Sequence, residues 1–169
     1  GDPLCGTSNH EGPRVEYLRR TLVEIGAVER PEDAWFDDFG NLVWVLMDRE
    51  DGIPDAEKTV VYFDGHSDTV WPLRDRWHEA TGGLDPFDGL VDEGKLNREF
   101  LRQELGFLPP DDEWHHLVWG RGAADQLSGV VSQVVASKVL METKDLGSLR
   151  GVIVRSYGTH AITKGFDQN

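Results

Sequence analysis

Three side chains in this sequence have the type and placement for metal chemistry: His66, Asp68 and Asp125. The first two close the stretch VYFDGHSDTV, residues 61–70. There a run of β-formers, Val60 to Phe63, reads as a buried strand and then changes into Asp64, Gly65, His66, Ser67 and Asp68. Ligands gather where the strands of an α/β sheet run out, because the loops there lie at the edge of a rigid scaffold. An imidazole at that point can ligate a divalent metal through one nitrogen. A carboxylate two residues on can accept the other ring N–H, which fixes the ring and raises its basicity. The pair of residue types carries little alone. The chain has six His and 18 Asp, so a His with an Asp two places on arises readily by chance. The remaining histidines, His10, His78, His115, His116 and His160, read as ordinary surface or loop residues.

The second stretch, WGRGAADQLSG (119–129), sets Asp125 between a glycine-rich turn and a long apolar segment. A carboxylate at a helix start is ordinarily a cap. A glycine-rich turn before a helix also suits a dinucleotide. Here, however, Asp125 stands where the third glycine of such a loop belongs, and an acid there would repel pyrophosphate.

The elements that must hold these residues follow from periodicity. Pro13 suits a first helical turn, Val15, Leu18, Leu22 and Ile25 share a face, and Gly26 closes the end, so 13–26 is predicted as a helix. NLVWVLM (41–47) is predicted as a strand after the turn DDFG, and 59–64 as the next strand, paired with it or beside it in one sheet. Residues 71–93 show no period and many turn residues; 94–105 reads as a short surface helix. A long irregular excursion of this kind is usually functional. Its Trp71, Trp77, Phe87 and Trp114 are candidates for a pocket wall or for ordinary packing. HHLVW (115–119) reads as a short strand. Residues 126–142 read as a helix with a wide apolar stripe of Leu127, Val130, Val131, Val134, Val135 and Val139. GVIVRSY (151–157) is the last predicted strand. The order predicts an α/β fold, a three-layer sandwich with a central mixed sheet flanked by helices.

Composition narrows the classes. The 169 residues suffice for a domain with a real core, and 38% hydrophobic against 28% charged residues is a globular balance. A net charge of −14 repels phosphate backbones and argues against a nucleic-acid partner. No apolar run reaches membrane-spanning length, so no membrane partner is expected. The single cysteine, Cys5, has no intrachain partner for a disulfide, which fits a reducing, cytoplasmic setting.

GHSDTV together with the later GRGAADQLSG resembles the dizinc aminoacylase, deacetylase and carboxypeptidase family, which includes acetylornithine deacetylase, succinyl-diaminopimelate desuccinylase and glutamate carboxypeptidase. The family pattern is a strand ending in Gly/Ser-His-x-Asp, then a loop, then Gly-Arg-Gly-x-x-Asp before a helix. FDDFGNLVW and TSNHEGPRVEYLRRTL are similar to its Asp-x-x-Gly-Asn strand and its first helix. The resemblance runs to about Thr159, so 1–159 is expected to be the N-terminal part of a metallohydrolase catalytic domain and 160–169 a divergent tail. It implies that His66 ligates one zinc, that Asp68 orients it as a catalytic residue, and that Asp125 bridges two metals. It implies Zn²⁺, two per site, with Co²⁺ or Mn²⁺ as substitutes. Arg121 resembles a motif position and reads as structural, and the resemblance further implies an unusual cis peptide between Asp125 and Gln126. The implied activity is hydrolysis of amide or peptide bonds in an N-acyl amino acid or peptide, with a homo-oligomer possible.

The pattern departs at two places. Ser128 stands where Lys or a Gly-rich continuation is usual. After GVIVRSYGT the family has two adjacent glutamates, a general base and a metal ligand, which would fall near Ala161 and Ile162; no Glu follows Glu142. A general base must reach its water. The expectation is therefore a truncated or frame-altered chain, inactive alone, and the alternative is a non-catalytic binding or interaction remnant on the same scaffold.

Overall fold

The computed structural model describes residues 11–69, 72–87 and 93–159. Two units share the chain. One is built from residues up to Asp68 and from Gln126 onward; the other is Thr69–Asp125.

In the first unit, helix α1 (Gly12–Glu24) carries Pro13 in its first turn, where its missing N–H would be an orphan anyway. It buries Val15, Leu18 and Leu22. Gly26, at φ 69°, takes the left-handed conformation that ends it. Strand β1 (Ala34–Phe36), absent from the sequence reading, forms a hairpin with β2 (Leu42–Met47). Asp37 organises the turn. Its carboxylate accepts the N–H groups of Phe39 and Asn41 and the Asn41 side-chain amide, each at 2.9 Å. Burial pushes the Asp37 carboxyl up, but these bonds outweigh it and leave it below the ordinary Asp value.

Strand β3 (Thr59–His66) runs two residues further than its periodicity indicates and ends on His66. Strand β4 (Val152–Thr159) pairs parallel with β3 and antiparallel with β2, giving a mixed sheet in the order β1-β2-β4-β3. So β2 and β3 share a sheet as expected but are not neighbours, because β4 enters between them. The expected α/β class with a mixed sheet is what is seen.

Helix α4 (Ser128–Glu142) follows a π-helical turn, Ala123–Leu127. With α1 it packs on one face of the sheet, in a core of Leu22, Leu42, Trp44, Leu46, Val130, Val134, Leu149 and Val154. The predicted stripe is narrower than expected: Val131, Val135 and Val139 are 52%, 56% and 52% exposed. The helix is apolar nearly all round, and periodicity cannot say which side of such a helix is buried. Ser137 is buried in it because its hydroxyl accepts the Trp44 indole N–H at 2.9 Å and donates to the Gln133 carbonyl at 2.8 Å.

The starts of β3 and β4 are tied together by charge. Lys58 reaches Asp51 and Asp55 at 3.3 and 3.2 Å, and Asp51 also accepts the Gly151 and Ile53 N–H groups, both at 2.9 Å. Those two N–H groups first, and Lys58 after them, hold the Asp51 carboxyl below its ordinary value.

The second unit has its own small core: Ala80, Leu96, Leu101 and Trp114, with Phe100, Leu108 and Trp119 against it. Helix α2 (Arg74–Thr81) falls in the region without apparent period; it buries only Ala80 and Thr81, too few positions to write a stripe. Helix α3 (Arg98–Leu105) is capped by Asn97, which accepts the Phe100 N–H at 3.1 Å. The strand expected at 115–119 is not formed. Trp114–His116 is a 3₁₀ turn, and its indole is buried under Arg98, 4.3 Å from the ring centre, and stacked on Trp119. Trp114 is therefore a core residue and not a pocket wall. Trp77 lines a cleft of about 280 Å³ with Arg74, His78 and Asp85, Phe87 is exposed, and Trp71 lies outside the described residues. Among the described residues no helix is long and apolar enough to cross a membrane.

Candidate metal-binding corner at the end of β3

The backbone of β3 becomes special one residue before its end on His66. Asp64 and His66 lie on the sheet face that carries Tyr62 and Tyr157, and Gly65 lies on the helix face. A side chain at Gly65 would put its Cβ 2.9 Å from the Gln133 Nε2 and 3.1 Å from the Val130 Cγ2. Glycine there lets α4 approach the strand closely, just before His66.

His66 is held on both its backbone and its ring. The main-chain N–H donates to the Gln126 side-chain oxygen at 3.0 Å. Nδ1 lies 2.9 Å from the Asp68 carboxylate and 3.1 Å from the Asp68 carbonyl. Both acceptors demand a proton on Nδ1, so the ring carries the Nδ1–H tautomer and Nε2 is the nitrogen suited to ligate a metal. The two side chains are 16% and 18% exposed, sheltered yet reachable. Between them Ser67 is fully buried, and its carbonyl accepts a hydrogen bond from the Arg14 guanidinium of α1. Strand end, helix α1 and the start of the α4 segment thus converge on three consecutive residues, 66–68.

This is the arrangement the spacing of His66 and Asp68 suggested. Asp125 is exposed, lies in the π-helical turn and is the last residue of the second unit. It is not an N-cap of α4, since Leu127 holds that position. Among the described residues there is no group of three or more His, Cys, Asp or Glu side chains that could hold a metal. The donors suit one imidazole ligand with its orienting carboxylate, and do not amount to the three or four protein ligands of a zinc site. The His115 and His116 rings lie against each other at a tilt, 3.8 Å between ring centres, and His78 packs on Gly83, as surface and loop histidines do. His10, His160, Ala161 and Ile162 lie outside the described residues.

Gln126 and Arg14 are what residue reasoning missed. Their partners are 60 and 53 positions away, with no spacing rule to link them. The only sequence signal was that Gln126 adjoins Asp125 in the second motif. A comparison with models of known protein families gives no match to this chain, and neither does a comparison with curated proteins.

Proposed function

We propose that this chain carries part of the metal site of a metal-dependent amidohydrolase or peptidase, with His66 as a ligand and Asp68 as the residue that positions it. One observation carries the reading: the imidazole stands at the carboxyl end of a strand with Nδ1 committed to a carboxylate at 2.9 Å. Histidine ligands are commonly held in this way, and the order of the two motifs supports Asp125 as a further ligand. Zn²⁺, or Co²⁺ or Mn²⁺ in its place, would polarise a scissile carbonyl and acidify a water. The substrate class on this reading is an N-acyl amino acid or a peptide, the setting cytoplasmic, and the architecture a three-layer sandwich whose further helical layer covers the Tyr62–Tyr157 face.

The same reading makes the 169-residue chain a poor catalyst by itself. No Glu follows Glu142, and Ala161 and Ile162 occupy the positions where the resemblance requires a base and a ligand. Loss of a general base alone costs roughly 10²- to 10⁴-fold.

Calorimetry with Zn²⁺ tests the metal reading. The parent is expected to bind weakly, His66→Ala to lose that binding, and Asp68→Asn to bind about 10- to 100-fold more weakly than the parent. Equal heats from parent and His66→Ala would remove His66 from any site and leave the scaffold as a non-catalytic module. Assays on N-acyl amino acids and dipeptides with zinc or cobalt are expected to show negligible turnover. Metal-dependent turnover abolished by Asp125→Ala would overturn the claim of inactivity and place a base within the chain.

A further inference from the structure

His66 and Asp68 hold each other locally. The ring Nδ1 meets the carboxylate and carbonyl of a residue only two positions on, so these contacts fix the pair internally without tying it to the rest of the fold. Two distant side chains supply the ties. Arg14 of α1 donates to the Ser67 carbonyl, and Gln126 accepts the His66 N–H at 3.0 Å. Of the two, Gln126 holds the histidine itself, at the atom next to the Cα on which the imidazole turns.

The surroundings of Gln126 are shaped for it. It lies in the π-helical turn that leads into α4, a kind of turn often found at functional sites. Its side chain packs against two glycines. A Cβ at Gly129, in the first turn of α4, would come 3.0 Å from the Gln126 Cγ and 3.4 Å from its Cδ. A Cβ at Gly65 would come 3.6 Å from its Oε1. Neither glycine has a positive φ, so the backbone conformation requires neither. Alanine is the better helix former at position 129. What glycine gives there is room for the Gln126 stem.

We propose that Gln126 is a positioning residue for metal binding: seated on Gly129, its amide oxygen fixes the His66 main chain and so aims Nε2 relative to the remaining ligands. With the main chain held by Gln126 and Nδ1 held by Asp68, the direction of Nε2 is set at two points. Loss of the amide oxygen frees the first point, and the His66–Asp68 pair then moves as a unit against the sheet. The consequence for metal rests on the reading of His66 as a ligand; the ordering of residues 66–68 does not.

Two measurements on the full chain separate those parts: ¹⁵N relaxation of the backbone amides and Zn²⁺ calorimetry. The parent is expected to give order parameters near about 0.85 at His66 and Asp68. Gln126→Met, of similar length but without the amide oxygen, is expected to drop them below about 0.6 with the rest of β3 unchanged, and to weaken Zn²⁺ binding about tenfold or more. Gln126→Glu, whose carboxylate accepts the same N–H, is expected to restore the order. Gly129→Ala favours the helix yet crowds the Gln126 stem. It is expected to keep or raise the urea midpoint while weakening Zn²⁺ binding roughly three- to tenfold, and to add nothing in the Gln126→Met background. A purely structural glutamine would not uncouple metal affinity from stability in this way. Order at 66–68 unchanged by Gln126→Met overturns the proposal, and so does a loss of Zn²⁺ affinity from Gly129→Ala that persists in full without the glutamine. A parent that binds no Zn²⁺ while the order at 66–68 still depends on Gln126 overturns the metal reading and, with it, the role of Gln126 in binding.

Discussion

Strands β2 and β3 have similar hydrophobic sequences and opposite situations. LVWVLM lies between β1 and β4, with Leu42, Val43, Trp44 and Leu46 all buried. TVVYFDGH lies at the edge, and only Gly65 in it is fully buried. An apolar β-branched run marks a strand because such side chains suit a pleated surface. Its place in the sheet depends on partners elsewhere in the chain. β4, more than half the chain away, chose to pair with both and so made β2 internal. The internal strand holds the fold together. The edge strand ends in the residues with chemistry.

The largest test of that contrast is to remove one aromatic from each strand. Trp44 is fully buried and its indole N–H is bonded to Ser137, so Trp44→Ala is expected to cost about 3–5 kcal/mol in urea unfolding. Tyr62 is 56% exposed and packs chiefly on the Tyr157 ring, 4.8 Å away, so Tyr62→Ala is expected to cost less than about 1 kcal/mol. Equal costs would mean that β3 is an internal strand in solution, and the contrast would fail.

Gly65→Ala sharpens the comparison at the one buried point of the edge strand. The added methyl meets the flexible end of Gln133, which can swing aside, and the Val130 methyl, which must give by a few tenths of an ångström. The expected cost is about 1–2 kcal/mol by overpacking. Because Gln126 holds the His66 N–H from the same segment, the variant is also expected to weaken Zn²⁺ binding more than its stability loss implies. Calorimetry at a temperature where the variant is fully folded checks this, and unchanged affinity would show that the strand end does not depend on its approach to α4.

How much was legible in the residues follows the same division. Local patterns delivered α1, the Asp37 turn, the three long strands and α4, since Pro13, Gly26, Gly40 and the apolar periods act over a few positions. His66 with Asp68 was legible for the same reason, two residues apart at a strand end. What was not legible depends on distance or on small size. The insertion of β4 between β2 and β3 is a long-range pairing. The exposure of Val131, Val135 and Val139 depends on what lies beside a helix that is apolar all round. Helix α2 is too short and too polar to show a period, and the run HHLVW is extended in type but finds no strand to pair with. The support of His66 by Gln126 and of Ser67 by Arg14 joins segments that only the fold brings together.

The smallest expected effect concerns the start of β3, where charge rather than apolar packing secures the edge strand. Asp51 accepts the Gly151 N–H of the turn into β4 and holds Lys58, the residue before β3. Its folded pKa lies below the ordinary value of 3.8, chiefly because the backbone N–H groups of Gly151 and Ile53 favour the carboxylate. A depressed carboxylate binds fewer protons folded than unfolded. Its contribution is therefore complete above the ordinary value and is lost as the pH falls through the depressed one. Asp51→Asn keeps one carbonyl oxygen, an acceptor for only one of the two N–H groups, and cannot titrate. The stability gap between parent and variant is expected to be widest near neutral pH, to narrow once the pH passes below 3.8 and to close in stronger acid. Urea midpoints measured along that pH series give the gap directly. A gap that stayed constant in acid would show that Asp51 secures the strand starts by its shape and hydrogen bonds alone, and that its charge adds nothing to the edge.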